Sequence, residues 1–251
     1  MKLLTIDQLI LKQFAIDMDC SIEELQGAEH LFKTIKGTNK SRYWARNAGT
    51  IIFYKNNLFC RTEDEVLTKK LKETYKNRAG EWFGDINNLI ELNALLKPFD
   101  YKMSHYSPFF VPKNWTPLET DSSNLKIFEA AQLSSFKDDE RFEESFLYDE
   151  TDPDKLGIAH IVDDEIVAMI GTNHNGEYTW EIGVEIVEDY HSKGIATNLV
   201  KTMTKEIIER NNQTILPVYS TQFTHTKSIN LAIRAGYKLG WTELVLEKIT
   251  H

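Results

Sequence analysis

The sequence predicts an α+β protein. Three observations carry that reading. Residues 50–61 and 157–171 are apolar runs joined by a tight polar turn, the pattern of an antiparallel hairpin. Other stretches repeat apolar residues every three or four positions, the pattern of a helix with one buried face. Between them, residues 107–123 hold three of the six prolines, and the charge balance changes sign there. The 251 residues exceed one average domain of about 100–200 residues and fall short of two large ones.

Residues 5–18 and 21–32 carry helical apolar spacing. The opening MKLLTIDQLILKQF places Asp7, Gln8 and Lys12 inside its apolar run, and no small-residue cleavage site follows. It therefore reads as an amphipathic helix rather than a signal peptide. Ser21 with Glu24 forms a capping-box pattern. The hairpin TIIFYKNNLFCR turns about Asn56-Asn57, and residues 63–77 and 86–96 are helical. This half offers no catalytic constellation. Trp44, Trp82 and the many Phe and Tyr residues are expected in the core.

Pro108, Pro112 and Pro117 make residues 107–123 an extended linker, because proline removes a backbone donor and restrains the residue before it. Residues 1–117 carry 17 Lys+Arg against 14 Asp+Glu, and residues 118–251 carry 12 against 24. The expected division is therefore an N-terminal accessory domain, 1–117, and a second domain, 118–251. The net charge of -9 argues against general nucleic-acid binding. The acidic second half favours cationic partners. Apolar stretches such as residues 166–170 fall far short of the ~20 residues that span a bilayer. Cys20 and Cys60 lie in no CxxC pair and near no histidine at ligand spacing, so they read as reduced thiols of a cytoplasmic protein, with no metal site.

In the second half, residues 125–148 are helical in pattern and heavily charged. Strands follow at 157–162 and 166–171 around the turn Asp163-Asp164-Glu165, and a third at 178–187. After a polar turn, Ile195, Leu199, Met203 and Ile207 repeat every four residues in a helix that ends near Asn211-Asn212. A short strand, ILPVYS, and a helix over 226–235 come next. Gly236 closes that helix in the left-handed conformation, and 237–249 is strand-rich.

The segment 181–201, EIGVEIVEDYHSKGIATNLVK, carries the chemistry. A strand runs through a polar turn into a helix start containing Gly194 and Ala196. The first turn of a helix leaves four backbone amides without internal partners, and together with the dipole they hold an anion. Gly194 and Ala196 let a phosphate approach, and Lys193 adds positive charge. No GxxxxGK[ST] or GxGxxG pattern accompanies it.

The run Val187-EDYHSKGIA resembles the coenzyme A signature of the GNAT N-acetyltransferase superfamily, Gln/Arg-x-x-Gly-x-Gly/Ala after a hydrophobic strand. His191 stands where that family has Gln or Arg. Two strands before, a helix after, a further strand and helix, and the pair Gly236-Tyr237 follow the family order over about residues 118–251. The resemblance implies a GNAT-like mixed, mostly antiparallel sheet with flanking helices, behind the smaller α+β domain. It implies acetyl-coenzyme A as co-substrate. The pantetheine arm would lie where the fourth and fifth strands splay, along the backbone of Glu185, Ile186 and Val187. The pyrophosphate would sit on the amides of Ser192, Lys193 and Gly194 and of Ile195, Ala196 and Thr197. His225 stands where an Asn near coenzyme A is common, and Ser228 opens a segment resembling a subgroup of the family. Pro217, inside ILPVYS, suits either a strand whose neighbour has splayed away or an edge strand.

Acyl transfer to an amine needs a proton acceptor. Alternation puts Trp180, Ile182, Val184 and Ile186 on one face of the third strand and Thr179, Glu181, Gly183, Glu185 and Val187 on the other. A Glu on this strand often relays the proton in the family. Glu181 is the first choice and Glu185 the second; the competing reading makes both solvated or paired strand carboxylates. Ala232 occupies the position where the family often has a Tyr acid, which leaves Tyr219, Tyr237 or unassisted departure of the thiolate. The resulting expectation is an N-acetyltransferase acting on a primary amine of a small molecule or protein, with a cationic acceptor and compatible with a homodimer. The alternative is a non-catalytic acyl-coenzyme A sensor module, and the third reading a structural partner protein.

Overall fold

The computed structural model describes residues 4–27, 29–116 and 118–249. Pro117 of the expected linker lies outside the described residues. The chain forms two compact units that interleave in sequence. Within the described residues, one takes 11–109 and 239–249, the other 4–10 and 110–238.

The first of these units begins in α1 (Ile6–Asp17) and α2 (Ile22–Gln26). The capping box is present: Glu24 N donates to Ser21 Oγ at 3.2 Å and Ser21 N to Glu24 Oε2 at 2.9 Å. The helix expected over 21–32 nevertheless stops at Gln26, and β1 (Leu31–Thr34) instead pairs in parallel with β3 (Asn57–Thr62). Pairing with β3 engages the backbone of Leu31–Thr34 and half-buries Leu31 and Phe32, a tertiary override of local spacing. β2 (Gly49–Tyr54) and β3 form the expected hairpin, with Tyr54 opposite Asn57. The turn residues are thus Lys55 and Asn56, at φ 48° and 63°, one position earlier than the sequence suggests. α3 (Glu65–Tyr75) is capped by Asp64, whose Oδ1 accepts from Leu67 N at 2.8 Å, and α4 (Ile86–Leu96) by Asp85. The strand order is β1-β3-β2-β10-β4, with β4 at Tyr101–Pro112 and β10 at Tyr237–Lys248. Residues 107–112 of the expected linker are therefore strand, and Phe109 is buried. Pro112 is tolerated as the terminal strand residue.

The other unit holds β5 (Leu125–Glu129), β6 (Asp154–Val162), β7 (Glu165–His174), β8 (Thr179–Ile186) and β9 (Leu216–Ser220), in the order β9-β8-β7-β6-β5. All neighbours are antiparallel except the parallel pair β8–β9. The protein is a mixed α+β fold with a mostly antiparallel sheet, as the sequence predicts. α5 (Ile195–Arg210) and α6 (Thr226–Arg234) bury Leu199, Val200, Met203 and Ala232 against Leu156, Ile158, Ile170 and Ile182.

The helix expected over 125–148 is absent. β5 opens that stretch, and two 3-10 segments follow at Ala130–Phe136 and Glu140–Ser145. Phe128, Leu133, Phe142 and Phe146 bury instead on the sheet face opposite α5, against Ala159 and Met169. Three glycines in register, Gly157 opposite Gly171 and Gly171 opposite Gly183, clear that face. A methyl group on Gly171 would overlap the carbonyl oxygen of Ser145, and one on Gly183 that of Glu144. Irregular backbone packed this closely on a sheet outweighs the helical spacing of its apolar residues.

Candidate active site

β9 pairs with β8 only from Thr179↔Leu216 to Glu181↔Val218, while β8 stays paired with β7 to Ile186. Among the described residues, β8 beyond Glu181 has no register partner on β9. Val187 N donates to Val167 O on β7 at 2.9 Å. Strand alternation then directs the backbone groups of Val184 and Ile186 away from β7, toward the side β9 has left. One of these is engaged: the His191 ring Nε2 lies 3.0 Å from Ile186 O. Pro217 does not mark the divergence of β9 from β8. Leu216 N donates to Tyr178 O, just ahead of β8, so the Pro217 nitrogen points away from β8 and its missing donor has no part in the divergence.

The turn after β8 delivers Ser192 at φ 62° and Gly194 at φ 84° to the start of α5. Gly194 is the N-cap and supplies no side-chain hydrogen bond. The helical ladder starts with Asn198 N donating to Gly194 O at 3.1 Å. The amides of Ile195, Ala196 and Thr197 precede that bond and find no acceptor among the described residues. A Cβ at Gly194 would meet nothing within 4 Å, so the space before these amides is open. Lys193 Nζ lies 4.3 Å from the centroid of the Tyr190 ring, at the rim.

Glu181 and Glu185 share the glycine-cleared face, as alternation predicts. The Glu181 carboxylate is bracketed: Oε2 accepts from Asn175 Nδ2 at 2.5 Å, and Oε1 accepts from Ser220 Oγ. Asn175 is fully buried. Glu185 is held at the irregular segment, where its Oε2 accepts from Glu144 N at 2.7 Å. Burial raises the Glu185 carboxyl above the usual range, against the lowering effect of the Glu144 amide. Asn175 and Ser220 escaped the sequence reading. Asn175 sits in the β7–β8 turn, six residues from Glu181, so the hairpin was its signal; nothing local links Ser220 to either.

His225 is the N-cap of α6 without a side-chain cap bond, its Nδ1 3.4 Å from Thr221 Oγ1. Ser228 Oγ meets the Tyr219 hydroxyl at 2.7 Å. Tyr237 pairs with Thr204 Oγ1 at 2.6 Å. Burial raises both tyrosine hydroxyls above the ordinary value. Ala232 is fully buried in the core. Among the described residues no group of three or more His, Cys, Asp and Glu could hold a metal ion, and no helix is long and apolar enough to cross a membrane.

Residues 123–237 match the family model described as "Acetyltransferase (GNAT) family". Residues 123–237 are a GNAT acetyltransferase domain. The family transfers acyl groups, generally from acetyl-coenzyme A, to an acceptor. Among solved structures, the chain is similar to a GCN5-related N-acetyltransferase-like protein from Streptococcus suis, at 14% identity and TM-score 0.43, covering 93% of this chain and 92% of that one. It is similar to a GCN5-related N-acetyltransferase from Kribbella flavida, at 12% identity and TM-score 0.45, covering 64% of each chain. An acetyltransferase of the GNAT family from Colwellia psychrerythraea matches at 14% identity and TM-score 0.42, over 63% of this chain and 62% of that one. The chain thus spans less than two thirds of the last two. A search of curated proteins finds no match to it.

Proposed function

We propose that the GNAT domain, residues 118–251 in the sequence division, moves an acetyl group from acetyl-coenzyme A to a primary amine of a small molecule or protein. The observation that carries this reading is the uncapped start of α5 behind a strand whose partner diverges. The amides of Ser192, Lys193 and Gly194 and of Ile195, Ala196 and Thr197 take the pyrophosphate, and the β8 edge at Val184 and Ile186 borders the acyl arm, ending at Val187, whose own backbone groups bond Val167 and Tyr190. His225 and Ser228, at the start of α6, add further coenzyme A contacts in this reading. The acyl thioester supplies the electrophilic carbonyl when bound. Glu181 accepts the proton of the amine, and Asn175 and Ser220 hold its carboxylate for that task. Glu185, engaged by the Glu144 amide, is second in line.

A cationic acceptor suits the electrostatics. Residues 138–154 carry nine carboxylates against the single cation Arg141, and this segment lies over the Glu181–Glu185 face at Glu144. Two free cysteines, Cys20 and Cys60, support a cytoplasmic setting.

One observation favours a second reading. Ala232 replaces the usual tyrosine, and the hydroxyls of Tyr219 and Tyr237 are engaged inside the core. A non-catalytic acyl-coenzyme A sensor needs no general acid. Calorimetry of coenzyme A with the full chain, followed by acetyl-coenzyme A turnover against a panel of mono- and polyamines, separates the readings. Binding with turnover supports the transferase, binding without turnover the sensor, and no binding overturns both.

A further inference from the structure

A second cavity in the GNAT unit has the wrong charge for its surroundings. It measures about 90 Å³, well above the roughly 10–15 Å³ that admits one water. Its walls come from the segment after β4, from the flank of α5 and from the turn after α6. Lys113, Lys201 and Lys205 line it, and no Asp or Glu does. That is unexpected in a unit whose residues 110–238 carry 22 acids against 12 bases.

Lys201 and Lys205 stand one turn apart on α5, and both are half-buried. Like charges at this spacing repel. Among the described residues none of the three lysines pairs with a carboxylate. Lys113 is fixed at the rim, because its backbone N donates to Gly236 O at 3.0 Å. Ile208, Ala235 and Leu118 form an apolar floor that limits water's screening of the charges. Asn114 adds an amide, its Oδ1 already accepting from Thr116 N.

We propose that this cavity binds a compact, multiply charged oxyanion, a phosphate group or a short dicarboxylate, held by Lys113, Lys201 and Lys205. The site is separate from the start of α5. Lys201 lies six residues beyond Ile195, about 9 Å along the helix. It stands independently of the acetyl-transfer reading.

The test uses the full chain carrying Gly194→Glu, which removes the helix start as a competing phosphate site. Inorganic phosphate and succinate are titrated in separate arms against sodium chloride at matched ionic strength, by calorimetry and thermal melting. At least one anion should bind and raise the melting temperature beyond the chloride control. Lys201→Gln with Lys205→Gln, which keeps most of each side-chain stem, should weaken that binding roughly tenfold or more. Phosphate alone or succinate alone identifies the ligand class. The proposal is overturned if neither anion exceeds chloride, or if the glutamine variant binds as the parent does. Lys113→Gln provides the same comparison from the exposed rim should the double variant fail to fold.

Discussion

Two helix starts, one in each unit, meet the same physical demand in opposite ways. α3 follows strand β3, and Asp64 turns its carboxylate onto Leu67 N. α5 follows strand β8, and Gly194 offers no side chain at all. Every helix begins with amides that lack internal acceptors. In the first case the chain supplies its own anion, and the helix start is structural. In the second the chain withholds one, and in the proposed function those amides take the anion of a ligand. The residue at the cap therefore distinguishes a stability element from a binding element, although both sit in a strand–turn–helix of similar outline.

The largest effect should come from breaking the second arrangement. Gly194→Glu places a carboxylate before the amides and forces a left-handed conformation on a non-glycine residue. Coenzyme A affinity in calorimetry should fall on the order of 100-fold or more, with the fold intact by circular dichroism. Native affinity would remove the start of α5 from the site.

Next comes the proton acceptor. An amine with a pKa near that of lysine, about 10.4, is almost wholly protonated at pH 7. Glu181→Gln should lower turnover by on the order of 10²–10⁴ while coenzyme A affinity is kept. The deficit should shrink toward alkaline pH, where solvent deprotonates the amine. Unchanged turnover from pH 6 to 9 would pass the role to Glu185 or to water.

The glycine-cleared face gives a smaller, purely structural effect. Gly171→Ala pushes a methyl into the Ser145 carbonyl, and the 140–145 segment must lift. Urea unfolding should show a loss of about 1–3 kcal/mol. No loss would mean the segment does not depend on that close approach. Asp64→Ala then sharpens the comparison itself. It should cost about 1 kcal/mol of stability and leave coenzyme A affinity unchanged, because its amides serve only the helix.

Glu185 gives the mildest test. Burial raises its carboxyl, so the charged form disfavours the native state once pH passes the unfolded value, and this penalty is complete above the folded value. Glu185→Gln still accepts from the Glu144 amide. It should be neutral to slightly stabilising at pH 7 by thermal melting, and the difference should vanish at a pH where both states are protonated. A marked loss at pH 7 would mean that the charge itself holds Glu144.

What was legible in the sequence was local. The turn at Asp163-Asp164, the capping box at Ser21 and Glu24 and the closing Gly236 each depend on residues a few positions apart. The α5 signature was legible for the same reason, since Gly194, Ala196 and the apolar four-residue repeat lie within four turns of one helix. The face of Glu181 and Glu185 also followed, because strand alternation is fixed by backbone geometry.

Tertiary structure decided whatever joined distant positions. The apolar residues of 125–148 have helical spacing, yet the register of Gly157, Gly171 and Gly183 gives them a better burial as irregular chain. Ser220 meets Glu181, 39 residues away, only because β8 and β9 lie side by side. Lys113 reaches Lys201 and Lys205 through the pairing of its backbone with Gly236. Sequence alone determined the hairpin turns, the uncapped start of α5 and the sheet face, because local sterics and hydrogen bonding encode them. Only the folded chain decided what covers that face and which side chains meet there, since those outcomes depend on burial and pairing between residues far apart in sequence.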